Sequence, residues 1–366
     1  MFNALIRGIR SVDILLLLSM AILFAFGCAA LYSIGLGKEP QSFFYLHKQL
    51  TVFGIFCAAL VLVASVNYRI YRDASIVFYC AVCAVLGAVL IFGSTIRGTR
   101  GWFVIGGVGV QPAELAKLAL IFILARYLSH FAREIRQARH LLITGLLAAI
   151  PIGLILAQPD FGSAAVLFVI WFGMMLVSGI PRRYLLALAV LGVILGAAAW
   201  SFGFKEYQKQ RIITYLSPGA SDQKGSGYNV RQAMIAIGSG QLFGRGLGLG
   251  SQSHLKFLPE SQTDFIFSVL AEETGLVGVF LLFLFWILFF YRLIASLRSA
   301  SDDFGAYTIL GISIFFFVHV LLNIGGNLGL VPLTGLVLPF MSYGGSALAV
   351  SLLSVGVVLS VRSHSV

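Results

Sequence analysis

The sequence predicts an all-α integral membrane protein in which about ten transmembrane helices form a single domain over residues 1–366. Of the 366 residues, 59% are hydrophobic and 11% are charged, and the mean hydropathy is +0.96. Ordinary soluble domains are roughly 45–50% apolar and about 25% charged. The composition therefore excludes a soluble globular enzyme.

Apolar segments of membrane-spanning length recur along the whole chain. A hydrocarbon core about 30 Å thick needs roughly 20 apolar residues per helix. The predicted spans are 13–34, 50–66, 74–93, 113–130, 141–157, 163–180, 184–203, 265–291, 305–327 and 342–361. Arg7 and Arg10 precede the first span, as in a signal peptide, but the span is too long and no small-x-small cleavage site follows it. We therefore expect a retained helix.

Three stretches interrupt this helical pattern. They are "IRGTRGWFVIGGVGVQP" (96–112), a long loop (204–264) and "VPLTGLVLPFMSYGG" (331–345). Irregular backbone at membrane depth is tolerated only where protein or water satisfies its polar groups. We expect the first stretch to be interfacial or re-entrant, and all three to lie on one face of the membrane.

The distribution of positive charge predicts that this face is extracytoplasmic and that both termini are cytoplasmic. One side collects thirteen arginines: Arg7, Arg10, Arg69, Arg72, Arg126, Arg133, Arg136, Arg139, Arg182, Arg183, Arg292, Arg298 and Arg362. The other side, outside the long loop, has five basic residues: Lys38, Lys48, Arg97, Arg100 and Lys117. We attribute the net charge of +11 mainly to residues that set the membrane topology, with possible attraction to anionic lipid headgroups. We expect no nucleic-acid partner.

Ionisable residues within membrane segments indicate candidate sites. In "QPAELAK", Glu114 and Lys117 are three residues apart and share a helix face. They either neutralise each other, or Lys117 faces a cavity and binds an anion such as phosphate while Glu114 orients it. In "QPDFG", Asp160 is either a helix N-cap or part of a pocket.

Two further patterns each allow two interpretations. His319, Asn323 and Asn327 form a polar stripe along the ninth span, which either makes interhelical hydrogen bonds or lines a polar groove. The glycine-rich stretch 238–252, which contains Arg245, lacks a nucleotide-binding motif. It is either flexible loop backbone or a source of amides and an arginine for phosphate.

Four carboxylates fall within "FLPESQTDFIFSVLAEETG": Glu260, Asp264, Glu272 and Glu273. If a helix begins near Asp264, Asp264 and Glu272 can share a face about 12 Å apart along the axis, while Glu273 points to the opposite side. Asp264 could also simply cap this helix. The helix dipole fades within the first turn, so Glu272 and Glu273 need other stabilising groups.

Several long motifs together resemble the SEDS family (shape, elongation, division and sporulation). They are "QPAELAK", "AQPDFGSA", "GSGYNVRQAMIAIGSG", "FLPESQTDFIFSVLAEETGLVG" and "PFMSYGGSAL". The resemblance covers nearly the whole chain and is stronger to the elongation branch than to the division branch. It implies ten helices and a long outer loop before the eighth. It also implies a peptidoglycan glycosyltransferase that polymerises lipid II on the outer face of the bacterial cytoplasmic membrane.

The resemblance also implies site residues and partners. Asp264 matches the essential acid of the family, Glu114 and Lys117 match its "QPSELAK"-type motif, and Asp160 matches its "QPD" acid. The implied partners are lipid II, a class B penicillin-binding protein and other elongation-complex proteins. The chain departs from the family at Gln262, where many relatives have His, and at Gly101, which separates Arg100 from the tryptophan.

These residues support a hypothesis for the mechanism. Asp264 is the general base for the acceptor hydroxyl, and Lys117 with Arg97 or Arg100 stabilises the departing diphosphate. The predicted substrate-binding set is Lys117, Glu114, Arg100, Arg97, Asp160, Lys48 and Glu272. Mg²⁺ or Mn²⁺ held by Asp264 or Glu272 is an open alternative. The rival functions are a lipid II flippase and the division-branch role.

Overall fold

The computed structural model describes residues 13–37, 40–96, 98–105, 108–132, 134, 137–181, 183, 184, 186, 187, 190, 226–250 and 258–365. Within these ranges the chain is mainly helical. The helices are α1 (Ile14–Leu36), α2 (Phe44–Ser65), α3 (Arg69–Phe92), α4 (Pro112–His130), α5 (Ala138–Leu156), α6 (Phe161–Val177), α7 (Ser226–Ser239), α8 (Ile266–Arg298), α9 (Asp303–Asn327) and α10 (Gly345–Ser363).

The helices confirm a multi-pass membrane protein. Seven of the described helices, α1, α2, α3, α5, α8, α9 and α10, are long and apolar enough to cross a membrane. Nine predicted spans coincide with helices, whereas the seventh, 184–203, lies almost entirely outside the described residues. Helix α8 runs seven residues past its predicted end because hydropathy detects the apolar stretch and not the polar turns that continue it.

A small antiparallel sheet occupies the first irregular stretch, which the sequence did not predict. Its strands are β1 (Ser94–Ile96), β2 (Thr99–Ile105) and β3 (Val108–Val110), in the order β1-β2-β3. Gly98 has a φ of 81° in the turn between β1 and β2, a conformation that glycine adopts without strain. Strand pairing supplies backbone hydrogen bonds to a segment too apolar to be a free loop.

An ion cluster ties the two described ends of the chain together. Asp13 is 2% exposed and caps α1 by accepting from the Leu16 amide at 3.1 Å. It also pairs with Arg292 of α8 at 2.8 Å and with Arg362 of α10. The first and last described helices therefore start and end on the same side of the bundle, together with the predicted cytoplasmic arginines.

Helix α8 is broken at Gly275, where φ is 64° and ψ is −165°. The stretch 241–246 satisfies the interrupted backbone. The amides of Leu276 and Val277 donate to the carbonyls of Gln241 and Leu242 at 2.9 and 3.1 Å. The break is therefore a hydrogen-bonded junction between α8 and the segment that follows α7.

The same stretch also satisfies carbonyls on the N-terminal side of the break. The amides of Arg245 and Gly246 donate to the carbonyls of Glu272 and Glu273, both at 3.0 Å. The interpretation that amides of this glycine-rich stretch bind phosphate is therefore wrong for these two groups, because α8 already occupies them.

Candidate functional site

The backbone on either side of Asp264 is held from two directions. Asn323 and Asn327 of α9 donate to the Asp264 carbonyl at 3.1 and 2.9 Å. From the other direction, the Ser342 hydroxyl donates to the Thr263 carbonyl at 2.6 Å, and the Tyr343 amide donates to the Gln262 carbonyl at 2.8 Å. Three consecutive carbonyls are thus anchored, which fixes the point from which the partly exposed Asp264 side chain projects.

Asp264 does not cap α8. The helix begins at Ile266, and the N-cap position is Phe265. Asp264 instead lies in a turn whose amides at Thr263 and Asp264 donate to the Glu260 carbonyl at 3.0 and 3.1 Å. Because Asp264 lies two residues before the helix, its direction is not set by the helical phase of Glu272, and the shared-face argument does not apply to it.

The polar stripe of α9 makes interhelical hydrogen bonds, as one interpretation predicted. Asn323 also donates to the Leu336 carbonyl at 2.8 Å, and Asn327 accepts from the Ser268 hydroxyl at 2.6 Å. His319, Asn323 and Asn327 are all buried. The stripe joins α9 to α8 and to the irregular stretch 331–344, so it holds the Asp264 segment in place.

The stretch 331–344 forms the wall beside the Asp264 carboxylate. Gly335 has a φ of 71°, and a Cβ built on it would lie 3.7 Å from Asp264 Oδ2. Gln49 of α2 anchors the far end of this stretch, because its Nε2 donates to the Ser342 carbonyl at 2.9 Å. Sequence reasoning missed Gln49 and Ser342; the available signal for Gln49 was an uncharged polar residue directly before the second predicted span.

Lys117 and Glu114 form a buried ion pair. Lys117 Nζ lies 2.7 Å from Glu114 Oε1, and the two residues are 0% and 4% exposed. Lys117 Nζ also lies 3.0 Å from His319 Nε2 and 5.7 Å from the centre of the Phe315 ring. The self-neutralising pair is therefore present, and an anion can reach Lys117 only if the surrounding side chains move apart.

Asp160 is the N-cap of α6, as one interpretation predicted. Its Oδ1 accepts from the Ser163 amide at 3.0 Å and its Oδ2 from the Ser163 hydroxyl at 2.8 Å. Gln111, immediately before α4, donates from Nε2 to Asp160 Oδ2 at 3.0 Å. Asp160 thus links the "QPDFG" turn to the start of the helix that carries Glu114 and Lys117.

The remaining predicted basic residues make other contacts or fall outside the described residues. Arg100 donates to the carbonyls of Ile91 and Gly93 at 2.8 and 3.2 Å, at the C-terminal end of α3. A cation is favourable there because the helix dipole is negative at that end. Lys48 lies 5.4 Å from the ring of Phe44. Arg97 falls outside the described residues.

Both glutamates of α8 are buried, which the opposite-face prediction did not anticipate. Glu272 is 0% and Glu273 is 2% exposed. Glu273 Oε1 accepts from the Ser33 hydroxyl of α1, and Ser33 Oγ accepts from the Gly248 amide at 3.2 Å. Glu273 therefore has a structural role, because it joins α8 to Ser33 of α1.

Comparison with known proteins establishes the family. The family model FTSW_RODA_SPOVE, described as a cell cycle protein, matches residues 10–366. This chain belongs to that family. The predicted SEDS membership is thereby confirmed. The peptidoglycan glycosyltransferase MrdB of Escherichia coli (strain K12) is 37% identical over 307 residues, which cover 83% of this chain and 82% of MrdB.

Two solved structures have the same fold as this SEDS protein. A chain from a study described as "Structural coordination of polymerization and crosslinking by a peptidoglycan synthase complex" has a TM-score of 0.80 and 30% identity, covering 96% of this chain and 97% of that one. The crystal structure of the rod shape determining protein RodA of Thermus thermophilus has a TM-score of 0.70 and 30% identity, covering 95% of each chain.

The structure shows which groups surround Gln262 and Gly101, the two positions that depart from the SEDS motifs. Gln262 Nε2 donates to Glu260 Oε2 at 3.0 Å, so this position, two residues before Asp264, contacts the acid Glu260. A Cβ on Gly101 would lie 3.0 Å from Gln158 Oε1, so the inserted glycine packs closely against the "QPD" turn. Any other side chain there would displace Gln158, which is fully buried.

The described residues do not form a ready metal centre. Within them, no group of three or more His, Cys, Asp or Glu side chains is arranged to hold an ion. Divalent Mg²⁺ and Mn²⁺ prefer several oxygen ligands. A cation at Asp264 would therefore take its remaining ligands from substrate and water, and the metal hypothesis stays a prediction.

Replacing Asp160 by alanine is expected to lower stability by about 1–2 kcal/mol, because an N-cap is lost. The bond from Gln111 is lost as well. The melting temperature of the purified protein measures this effect. The variant Asp302→Ala is the matched control: Asp302 caps α9 in the same way, accepting from the Gly305 amide at 2.8 Å, but at the other end of the bundle.

Both cap variants should melt lower, Asp160→Ala by more because it also loses the bonds from the Ser163 hydroxyl and Gln111, but only Asp160→Ala should also impair the function proposed below. Equal activity losses in the two variants would contradict a local link between Asp160 and the α4 site.

Proposed function

We propose that this protein is a peptidoglycan glycosyltransferase that polymerises lipid II into glycan strands during cell elongation. The observation that carries the proposal is the anchored Asp264. Its three neighbouring carbonyls are bound from α9 and from the 331–344 stretch, and α9 in turn contacts the buried Lys117 of α4. An acid with an anchored backbone and a cation linked to it through α9 suit glycosyl transfer from a lipid diphosphate.

The chemistry needs one displacement. Asp264 removes the proton from the acceptor sugar hydroxyl, the acceptor oxygen bonds to the anomeric carbon of the donor, and the bond from that carbon to the diphosphate oxygen breaks. Once the side chains around Lys117 move apart to admit the diphosphate, Lys117 with Arg100 or Arg97 stabilises the negative charge on the departing lipid diphosphate. The α-linked donor and β-linked product of the family imply inversion, so no second catalytic carboxylate is required.

The proposed partner is a class B penicillin-binding protein that crosslinks the new strands. The description of the similar solved structure, which names polymerisation and crosslinking by one synthase complex, supports this partner. We also propose other elongation-complex proteins as partners and a location in the bacterial cytoplasmic membrane. The arginine distribution and the Asp13–Arg362 contact support both termini on the cytoplasmic side.

Polymerisation and translocation can be separated with purified components. The full-length protein, alone and with the penicillin-binding protein, is reconstituted in vesicles that contain fluorescent lipid II. We expect lysozyme-sensitive glycan polymer on gels, with more product when the partner is present. Passage of the lipid II headgroup across the bilayer without any polymer would instead establish the flippase.

The elongation role has its own test. Expression of the gene in rod-shaped cells depleted of either their elongation or their division polymerase should restore rod shape and not septation. Rescue of septation alone would assign the protein to the division branch.

A further inference from the structure

The imidazole of His319 connects Lys117 of α4 to the stretch 331–344 beside Asp264. His319 Nε2 lies 3.0 Å from Lys117 Nζ, and His319 Nδ1 lies 3.1 Å from the Val337 carbonyl oxygen. An ammonium group has only hydrogens to offer, so Nε2 accepts from Lys117. Nδ1 then carries the ring proton and donates to the Val337 carbonyl. Both ring nitrogens are thus used, each by a different element.

Lys117 depends on this histidine for its position relative to the rest of the bundle. A lysine has a flexible four-carbon stem and a point charge, so its ammonium is placed by its partners. Among the described residues, its polar contacts are with Glu114 and His319. Glu114 is on the same helix, three residues away, and moves with Lys117. The contact that relates the ammonium to another element comes from His319.

The Val337 carbonyl belongs to the wall beside Asp264. The preceding residue, Leu336, accepts through its carbonyl from Asn323 at 2.8 Å, and Asn323 also donates to the Asp264 carbonyl. Two residues before Val337, Gly335 approaches the Asp264 carboxylate. A shift of the His319 ring therefore changes the position of Lys117 relative to the segment that contacts Asp264.

We propose that His319 is a positioning residue that holds the Lys117 ammonium at a set place relative to Asp264. This inference rests on the proposed glycosyl transfer, in which Lys117 stabilises the leaving diphosphate. The alternative is a buried histidine that only packs the core, where its ring meets the Phe315 ring at 4.9 Å. The two roles predict different kinetics, because misplacement of a catalytic contact by about 1 Å can cost about 10²-fold in rate.

Three substitutions separate the two bonds of the ring. His319→Gln places an amide oxygen near the Nε2 position and retains the acceptor for Lys117. His319→Asn places an amide nitrogen near the Nδ1 position and retains the donor to Val337. His319→Leu removes both. Each full-length variant is purified with the penicillin-binding protein, and kcat, KM for lipid II and the melting temperature are measured.

We expect kcat to fall by about 10²-fold in His319→Asn and His319→Leu, with KM within about 2-fold of wild type. We expect His319→Gln to recover at least about 10-fold of the lost rate. Equal rates for His319→Gln and His319→Asn, or losses of rate that simply follow the melting temperature, would overturn the proposal.

A second measurement does not depend on activity. In a double-mutant cycle of thermal stability, His319→Leu should lower the melting temperature less in a Lys117→Met background than in wild type, because the bond is already lost. Additive effects would show that His319 does not hold Lys117. If wild type makes no polymer at all, the proposed function fails, while this cycle still decides whether the contact exists.

Discussion

Replacing Asp264 by asparagine should lower kcat for lipid II polymerisation by about 10² to 10⁴-fold, the usual contribution of a general base. Asparagine has nearly the same shape as aspartate but cannot take the proton of the acceptor hydroxyl. The bonds from Asn323 and Asn327 are made to the backbone carbonyl of residue 264, so they survive the substitution. KM for lipid II and the melting temperature should therefore change little.

Glu134→Gln is a suitable control for Asp264→Asn, since it also neutralises a carboxylate. Glu134 is about half-exposed, pairs with Arg139 and lies in the connection between α4 and α5, away from Asp264. An exposed ion pair contributes about 0–1 kcal/mol, so this variant should polymerise at the wild-type rate. Wild-type activity in Asp264→Asn would refute the base assignment, and a large fall in its melting temperature would indicate a structural role.

Replacing Gly275 by alanine should be the most destabilising change to the fold described here, by at least about 3 kcal/mol. The backbone conformation of Gly275 is one that only glycine adopts readily, and strain of this kind costs about 1–3 kcal/mol. In addition, a Cβ would lie 2.3 Å from the Gly244 amide nitrogen and 2.8 Å from the Gly240 carbonyl oxygen. These are backbone atoms, so the clash cannot be relieved by a side-chain rotation.

The measurement is the yield of monodisperse protein on size exclusion together with its melting temperature. Gly87→Ala is the matched control, because a Cβ on Gly87 in α3 would meet no atom within 4 Å. Alanine within a helix is about 1 kcal/mol better than glycine, so this control should melt at the same temperature or slightly higher. If the two variants behave alike, the junction at Gly275 is not needed for folding.

The candidate site shows where sequence reasoning reached its limit. A cap at Asp160 was one of two interpretations, and it was accessible from sequence because an N-cap acts on an amide three residues away, within the same short motif. The α9 stripe was recognised as hydrogen-bonding, but its partners were not, because the backbone of residue 264 is 59 residues away from Asn323. Gln49 was not recognised at all, since its partners are near residue 342.

In the glycine-rich stretch 238–252, sequence reasoning offered a ligand for backbone groups that the chain itself uses. Its glycines and amides were correctly noted, and phosphate was offered as one use for them. The structure uses two of these amides to close the break in α8. A sequence shows that backbone groups are accessible to a close neighbour, but it does not show whether that neighbour is a ligand or another part of the chain.

What the sequence by itself determined is the membrane class, the position of nine of the predicted spans and the family. These follow from local properties: the length of an apolar segment against the thickness of the hydrocarbon core, and motifs that are contiguous in the chain. Tertiary structure alone decided that α8 breaks onto the glycine-rich stretch, that Gln49 and Ser342 anchor the Asp264 segment, and that His319 joins Lys117 to Val337. Those pairings depend on how helices pack and which rotamers face each other, and residues 202 positions apart meet only when the whole bundle has formed.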